Sequence, residues 1–313
     1  MADAVRAELI GAAVTMAVDR VTEEVVGAFD RADVPSMVLK GPSIARWLYP
    51  AGGRSYRDTD VLVSAGHFGR AAAVLRELGF GAPSHALVDH AHTYARDAGG
   101  YAQSVDLHRT LPYVAAPPAE VWGALYAGHD VLALGAIEVD VLGLPQRCLH
   151  IAIHALQHAF EARGPFEDLR RAIDAASIEE WAEAASVSRR LGAEDALAAG
   201  LCLVPQGEAL SDRLGLTAER RGIVRIAATA SASADRELPA YQVQRFLDAD
   251  TFGERVRLLV NPVVLSPANL RQVSPLARRG RLGLGLAYAA RPFVVAGRTG
   301  SALVSRRRIL KPR

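Results

Sequence analysis

The chain has 313 residues, of which 50% are hydrophobic and 22% are charged, a composition that excludes a disordered or collagen-like protein. Its two cysteines, Cys148 and Cys202, are too few and too far apart for a disulfide framework or a structural zinc site. The N-terminus lacks the pattern of a secretory signal, and we find no transmembrane segment because no uncharged run is long enough. We therefore expect a cytoplasmic protein.

The first 108 residues alternate between helical periodicity and short apolar runs typical of strands. Pro42 suits the first turn of a helix, Ser64 its N-cap position and Gly79 its C-terminal end. The predicted order is helix 3–32, strand 36–40, helix 42–49, strand 58–63, helix 65–78 and strands 93–96 and 103–108, with a turn at Gly99-Gly100. This order predicts a small mixed sheet with flanking helices.

From about Leu144 the periodicity is helical almost throughout. The helices are predicted at 144–162, 166–176, 178–191, 193–202, 218–231 and 242–259. We therefore expect an α+β fold in which an α/β core (1–140) is followed by an α-helical domain (141–260) and a basic C-terminal segment (261–313).

The net charge of +2 is distributed unevenly along the chain. No acidic residue follows Glu254, whereas 13 Arg and Lys do, so residues 1–254 carry a balance of −11. Arg306, Arg307 and Arg308 form the densest basic cluster. The basic tail is either a solvated terminus or a contact for a polyanion such as RNA, DNA or anionic lipid.

Two carboxylates, Asp58 and Asp60, are separated by one residue on a predicted strand and so project from the same side of it. They repel each other unless a cation lies between them, and oxygen ligands favour Mg²⁺. A neighbouring predicted strand carries Asp106 and can bring it beside the pair. Three carboxylates that hold two Mg²⁺ ions would align a hydroxyl with a nucleoside triphosphate. An Asp-x-Asp pair on its own, however, is a weak signal.

A second feature supports phosphate chemistry, because Lys40-Gly41 ends a predicted strand and begins a helix. The backbone amides at such a junction, together with the helix dipole, suit a phosphate group. A tight turn at Gly41 and an exposed strand end at Lys40 are the simpler interpretations of each residue alone.

Taken together, these motifs resemble the uncharacterised bacterial nucleotidyltransferase family of the DNA polymerase β-like superfamily. The resemblance extends into the helical half. It is carried by Leu39-Lys40-Gly41, Leu48-Tyr49-Pro50, Arg54, Asp58 to Val63, Val105 to His108, Leu144-Pro145, Leu149-His150, His154 and Asp168-Leu169.

The resemblance implies a nucleotidyltransferase-type sheet and transfer of a nucleoside monophosphate from an NTP, ATP among them, to an unknown acceptor. That acceptor could be a small molecule, a peptide, a protein or RNA. Asp58, Asp60 and Asp106 would then bind Mg²⁺ or Mn²⁺. Gly41 would lie at the phosphate-binding turn, with Lys40 and Arg54 facing the triphosphate. The superfamily's Gly-Ser turn is replaced here by Gly41-Pro42-Ser43, and Ser43 could substitute for its serine.

Several other polar residues are candidates for substrate contact. His108 shares the face of Asp106 and would contact substrate or make a structural hydrogen bond. His150, His154 and His158 lie on one predicted helix face, which lacks the His-Glu-x-x-His pattern and is better explained by packing than by zinc; a contact between this face and the catalytic cleft stays open. We expect helices 144–202 to form one wall of the cleft, with His154 or Asp168 near its rim; alternatively, Asp168 pairs with Arg171 or caps a helix.

Two other functions stay open. The chain could be an RNA- or tRNA-modifying, toxin-like nucleotidyltransferase, for which the basic tail is the only support. It could also be a catalytically silent binding or scaffold protein on the same fold, against which three convergent carboxylates argue because such a cluster is costly.

Overall fold

A computed structural model describes residues 2–81, 90–98, 102–158, 164–216, 222, 274 and 276–294. By compactness the chain divides into two units, Met1–Gln157 with Ala162–Ala218 and His158–Glu161 with Glu219–Arg313. The domain boundaries predicted from the sequence stay a prediction. Some predicted features lie outside the described residues: the turn at Gly99-Gly100, the helices 218–231 (apart from residue 222) and 242–259, and the cluster Arg306–Arg308. The contact of the basic tail with a polyanion therefore also stays a prediction.

The first unit contains a six-stranded mixed sheet with the order β3-β4-β2-β1-β6-β5. Its strands are β1 (Ser36–Val38), β2 (Thr59–Val63), β3 (Ala91–Asp97), β4 (Ala102–His108), β5 (Asp130–Leu134) and β6 (Ile137–Val141). The pairs β2–β4 and β1–β6 are parallel, and the other three pairs are antiparallel. The predicted α+β fold with a mixed sheet is therefore confirmed.

The hairpin β5–β6 was not predicted from the sequence, and it adds two strands to the four expected. Gly135, at φ 58°, opens the two-residue turn that joins these strands. One face of the hairpin is apolar and packs against Val26 of the first helix, through Leu134, Val139 and Val141.

Helices cover the sheet and continue beyond it. They are α1 (Ala2–Arg31), α2 (Pro42–Leu48), α3 (Phe68–Glu77), α4 (Pro118–Tyr126), α5 (Leu144–Gln157), α6 (Gly164–Ala175), α7 (Ile178–Arg190), α8 (Glu194–Leu201) and α9 (Pro205–Arg213). Val25 and Phe29 of α1 are fully buried in one core with Val61 and Val63 of β2. Strand β2 is thus buried along its whole length, which fixes the position of the polar residues at its start.

The helical part of the first unit is built around α5, which contacts α6, α7 and α8. Helix α7 begins with a capping box between Ser177 and Glu180, which satisfies backbone donors of the first turn. Helix α6 also contacts α2, so the helical part packs directly against the segment that follows β1. In the second unit, residues 280–294 are helical, and Ala277 and Ala287 pack together. None of the helices in these described ranges has the length and apolar character needed to cross a membrane.

Candidate active site

The parallel pairing of β2 with β4 places two carboxylates side by side. Asp60 is in register with Asp106, and Leu62 is in register with His108. A carboxylate oxygen of each aspartate and a ring nitrogen of His108 all lie within 4.8 Å of one another. Asp60 is 3% exposed, so this group lies at a buried point of the sheet rather than on an open surface.

Asp58 lies one residue before β2 and does not belong to that closest group. Thr59 points to the opposite side, where its Oγ1 is 2.8 Å from Oγ1 of Thr22 on α1. Burial, and then the negative charge of Asp60, raise the pKa of Asp58 to about 6, although Lys40 acts in the other direction. Asp58 is therefore close enough to interact electrostatically with Asp60 and, more weakly, with Asp106.

Lys40 provides the positive charge that Asp60 needs in this buried position. Its Nζ lies 2.9 Å from Asp60 Oδ1, and His108 Nε2 lies 3.2 Å from the same oxygen. Burial works against both charged forms. The Asp60 and Asp58 charges nevertheless raise the pKa of Lys40, while Lys40 and His108 hold the pKa of Asp60 well below its usual range. The pair is thus charged at neutral pH.

Several buried polar atoms around this group have no hydrogen-bond partner among the described residues. They include Asp106 Oδ1, His108 Nδ1 and both ring nitrogens of His150. Buried polar atoms are usually paired, and unpaired ones require an explanation such as a bound ion or ligand. The free Asp106 oxygen, beside Asp60 and an imidazole, fits a divalent cation in its donor chemistry.

The junction between β1 and α2 runs along one side of the group. The Leu39 N–H donates to the Asp60 carbonyl at 3.0 Å, which holds Lys40 and Gly41 beside β2. Gly41 has φ 62°, and a Cβ there would lie 3.3 Å from the ring of Tyr56. Ser43 is buried, and its Oγ donates to the Lys40 carbonyl at 3.3 Å. The two residues therefore shape the turn that carries Lys40.

Arg54 is held by Asp168 of α6 in a two-pronged ion pair. Arg54 Nε donates to Asp168 Oδ1 at 2.9 Å and Nη2 donates to Oδ2 at 2.8 Å. The Tyr49 hydroxyl also donates to Oδ1, at 2.7 Å. Asp168 thus pairs with Arg54, 114 residues away, rather than with Arg171 as the sequence alternative held.

Helix α5 reaches the group through His150. Burial, and then the positive charge of Lys40, lower the pKa of His150 to about 3, so the imidazole is neutral. The charges of Asp60 and His108 also act on it, so His150 is within electrostatic range of this group. The ring of His154 stacks on that of His150, with centroids 6.2 Å apart. The sequence predicted a packing role for the face that carries His150, with a contact to the cleft left open, and it assigned no role to Tyr49.

Comparison with known proteins identifies the family to which the chain belongs. The profile of a family described as "Uncharacterised nucleotidyltransferase" matches residues 6–206, which is more than half of the chain and includes the site residues described above. The chain therefore belongs to this nucleotidyltransferase family, as its sequence motifs predicted. A comparison with curated proteins found no match.

Two solved structures are similar to the chain. One is the solution structure of the antibiotic-resistance factor ANT(2'')-Ia, with 16% identity, a TM-score of 0.40 and coverage of 56% of this chain and 89% of that one. The other is an antigenic nucleotidyltransferase-like protein from Paracoccidioides brasiliensis, with 13% identity, a TM-score of 0.37 and coverage of 66% and 94%. Assignment to the family follows from the sequence match, not from these distant similarities.

Proposed function

We propose that this protein is a divalent-metal-dependent nucleotidyltransferase that moves a nucleoside monophosphate from an NTP to an acceptor and releases pyrophosphate. The observation that carries the proposal is the register of Asp60 with Asp106 on adjacent parallel strands, with Lys40 bound to Asp60. This register brings two carboxylates and one cation to the same point, which is the charge pattern needed to bind a metal-complexed triphosphate.

Asp58, Asp60 and Asp106 are the proposed ligands of Mg²⁺ or Mn²⁺, and His108 borders them. When bound, such cations neutralise phosphate charge and favour the deprotonated form of an attacking hydroxyl. The protein contributes the buried position of Asp60 and the unpaired Asp106 oxygen. Because the ionised Asp60 carboxylate can only accept, His108 Nε2–H donates to it and so helps to fix the orientation of that carboxylate.

Lys40, Gly41, Ser43 and Arg54 are the proposed contacts for the nucleotide. Lys40 and Arg54 carry the positive charges, while Gly41 and Ser43 set the turn on which Lys40 is placed. Because Lys40 already neutralises Asp60, cations bound at the carboxylates would release its ammonium for a phosphate oxygen.

The acceptor is not identified by any residue. We propose that α5 and α6 line the cleft and that His108 and His154 are candidate contacts for the acceptor, whereas both oxygens of Asp168 are already bound by Arg54 and Tyr49. Cys148 and Cys202 are not disulfide-bonded, which suits a reducing compartment and supports a cytoplasmic location. A toxin-like activity on RNA rests on the basic tail alone, and the buried carboxylate pair disfavours a purely structural protein.

The first experiment is a titration of Mn²⁺ into the protein, with and without each NTP, followed by calorimetry. The wild-type protein should bind Mn²⁺ and should bind an NTP only in its presence. Asp106→Asn should lose both, whereas Asp174→Asn, an exposed control on α6, should keep both. Nucleotide binding that is independent of metal and of Asp106 would contradict the proposal.

A further inference from the structure

Arg54 is fixed more firmly than an ordinary surface arginine. It lies in the loop between α2 and β2, and its side chain is 15% exposed, while that of Asp168 is 3% exposed. Two parallel N–H donors meet the two carboxylate oxygens, the geometry that gives arginine–carboxylate pairs both strength and direction. The plane of the guanidinium is therefore set by Asp168.

The Asp168 carboxylate is in turn oriented by a second layer. Tyr49 donates to Oδ1, and the Arg171 guanidinium lies 4.3 Å above the Tyr49 ring. Arg171 also donates from Nη1 to the Leu48 carbonyl at 3.2 Å and from Nε to Glu167. Asp168 of α6 thus contacts both Arg54 and Tyr49, and Arg171, one turn later, contacts Tyr49. Helix α6 is therefore the element that determines where Arg54 points.

One nitrogen of the Arg54 guanidinium takes no part in the ion pair with Asp168. Nη1 is buried and has no hydrogen-bond partner among the described residues, although Nε and Nη2 are both paired. An unpaired donor on a buried cation costs stability, so a purely structural ion pair would be expected to pair it as well. Arg54 lies four residues before Asp58, in the loop that leads into β2, and Asp58 acts electrostatically on the guanidinium.

We propose that Asp168 and Tyr49 are positioning residues that hold Arg54 so that its Nη1 donates to a phosphate of the nucleotide. The inference rests on the proposed nucleotidyltransferase function and deepens it, because it makes α6 of the helical half part of the nucleotide site. Arg54 contacts the phosphate, and Asp168 acts only through Arg54.

The test is a double-mutant cycle read out as affinity for an NTP in the presence of Mn²⁺. Arg54→Ala and Asp168→Asn should each weaken binding about 10- to 100-fold, because a charge-assisted hydrogen bond is lost or misdirected. The double variant should be no weaker than Arg54→Ala. Tyr49→Phe removes a single hydroxyl, keeps the fold and should weaken binding by a smaller factor. Arg57→Ala, in the same loop and exposed, and Asp174→Asn, on the same helix, should leave binding unchanged.

Chemical rescue separates positioning from a structural role. Ethylguanidinium added to Arg54→Ala should restore part of the NTP affinity, since Asp168 and Tyr49 still form its binding site, and should not restore it in Arg54→Ala/Asp168→Asn. Melting temperatures identify any variant that fails to fold. If Asp168→Asn is unfolded, the NTP affinity of Tyr49→Phe tests the positioning role instead.

The possible results distinguish this inference from the function on which it rests. Wild-type protein that binds no NTP with any metal would contradict the proposed function and the inference with it. Wild-type binding with unchanged affinity in Asp168→Asn and Tyr49→Phe would leave the function standing and overturn the inference.

Discussion

The ammonium of Lys40 lies 2.9 Å from Oδ1 of Asp60, one of the carboxylates proposed to bind metal. The lysine therefore competes with a metal ion for Asp60, which lowers the affinity for metal. It also attracts a phosphate, which raises the affinity for an NTP. Lys40→Met should raise the affinity for Mn²⁺ alone several-fold and lower the affinity for an NTP with Mn²⁺ about 10-fold or more. Electron paramagnetic resonance of free Mn²⁺ measures the first effect and calorimetry the second. Arg57→Met is the control, and a parallel loss of both affinities would count against this role of Lys40.

Asp58 and Asp60 should respond differently to the same substitution. Asp58 is repelled by Asp60 and Asp106, so Asp58→Asn should raise the melting temperature of the metal-free protein by about 2–4 °C. Asp60→Asn should lower it, because Lys40 then lacks its buried partner. Both variants should lose Mn²⁺ binding. Thermal melts with and without Mn²⁺ provide the measurement, and equal shifts of the same sign in both variants would show that the assigned charges are wrong.

Gly41 should tolerate no side chain. Its φ of 62° disfavours every L-residue, and a Cβ would lie 3.3 Å from the Tyr56 ring. Gly41→Ala should therefore reduce the free energy of unfolding by about 1–3 kcal/mol. Gly66→Ala, where no heavy atom would lie within 4 Å of the new Cβ, is the matched control for urea denaturation. A Gly41→Ala variant as stable as the control would show that the turn adopts another conformation in solution.

His150 should make the protein sensitive to acid. Its pKa is lowered to about 3 in the folded state, by burial first and then by Lys40. The unfolded chain takes up a proton near pH 6.5 and the folded chain does not. Stability is thus fully present above pH 6.5 and is lost as the pH falls towards 3, at about 1.4 kcal/mol per pH unit for this one group.

The comparison for this prediction is His150→Phe, which cannot titrate. As the pH falls from 6.5 to 4, the unfolding free energy of the wild-type protein should decrease more than that of His150→Phe. A difference that stays constant over this range would mean that His150 is protonated in the folded state.

The sequence predicted the carboxylate cluster because strand geometry is local. Asp58 and Asp60 are two residues apart, and the alternation of faces, visible in the contact of Thr59 with Thr22, decides which way they point. The position of Asp106 needed only one further assumption, that its strand lies beside β2. The β5–β6 hairpin was missed although Leu132, Leu134, Val139 and Val141 alternate, since its five-residue strands follow a helix and precede a long helical region.

The link between Arg54 and Asp168 was beyond sequence reasoning for a different reason. The two residues are 114 positions apart, and their contact depends on how α6 packs against the loop after α2. No periodicity or motif encodes such a distance. The same holds for the electrostatic effect of Lys40 on His150, two residues that are also more than 100 positions apart.

Transfer of label from an NTP tests the central claim most directly. The protein, Mg²⁺ and a cell extract that supplies acceptors are incubated with an NTP labelled at either the α- or the γ-phosphate. The account predicts that α-label becomes attached to an acceptor, that γ-label is released in pyrophosphate, and that Asp106→Asn abolishes both while Asp174→Asn does not. Attachment of γ-label would instead identify phosphoryl transfer, and α-label transfer that survives Asp106→Asn would contradict the assignment of the active site.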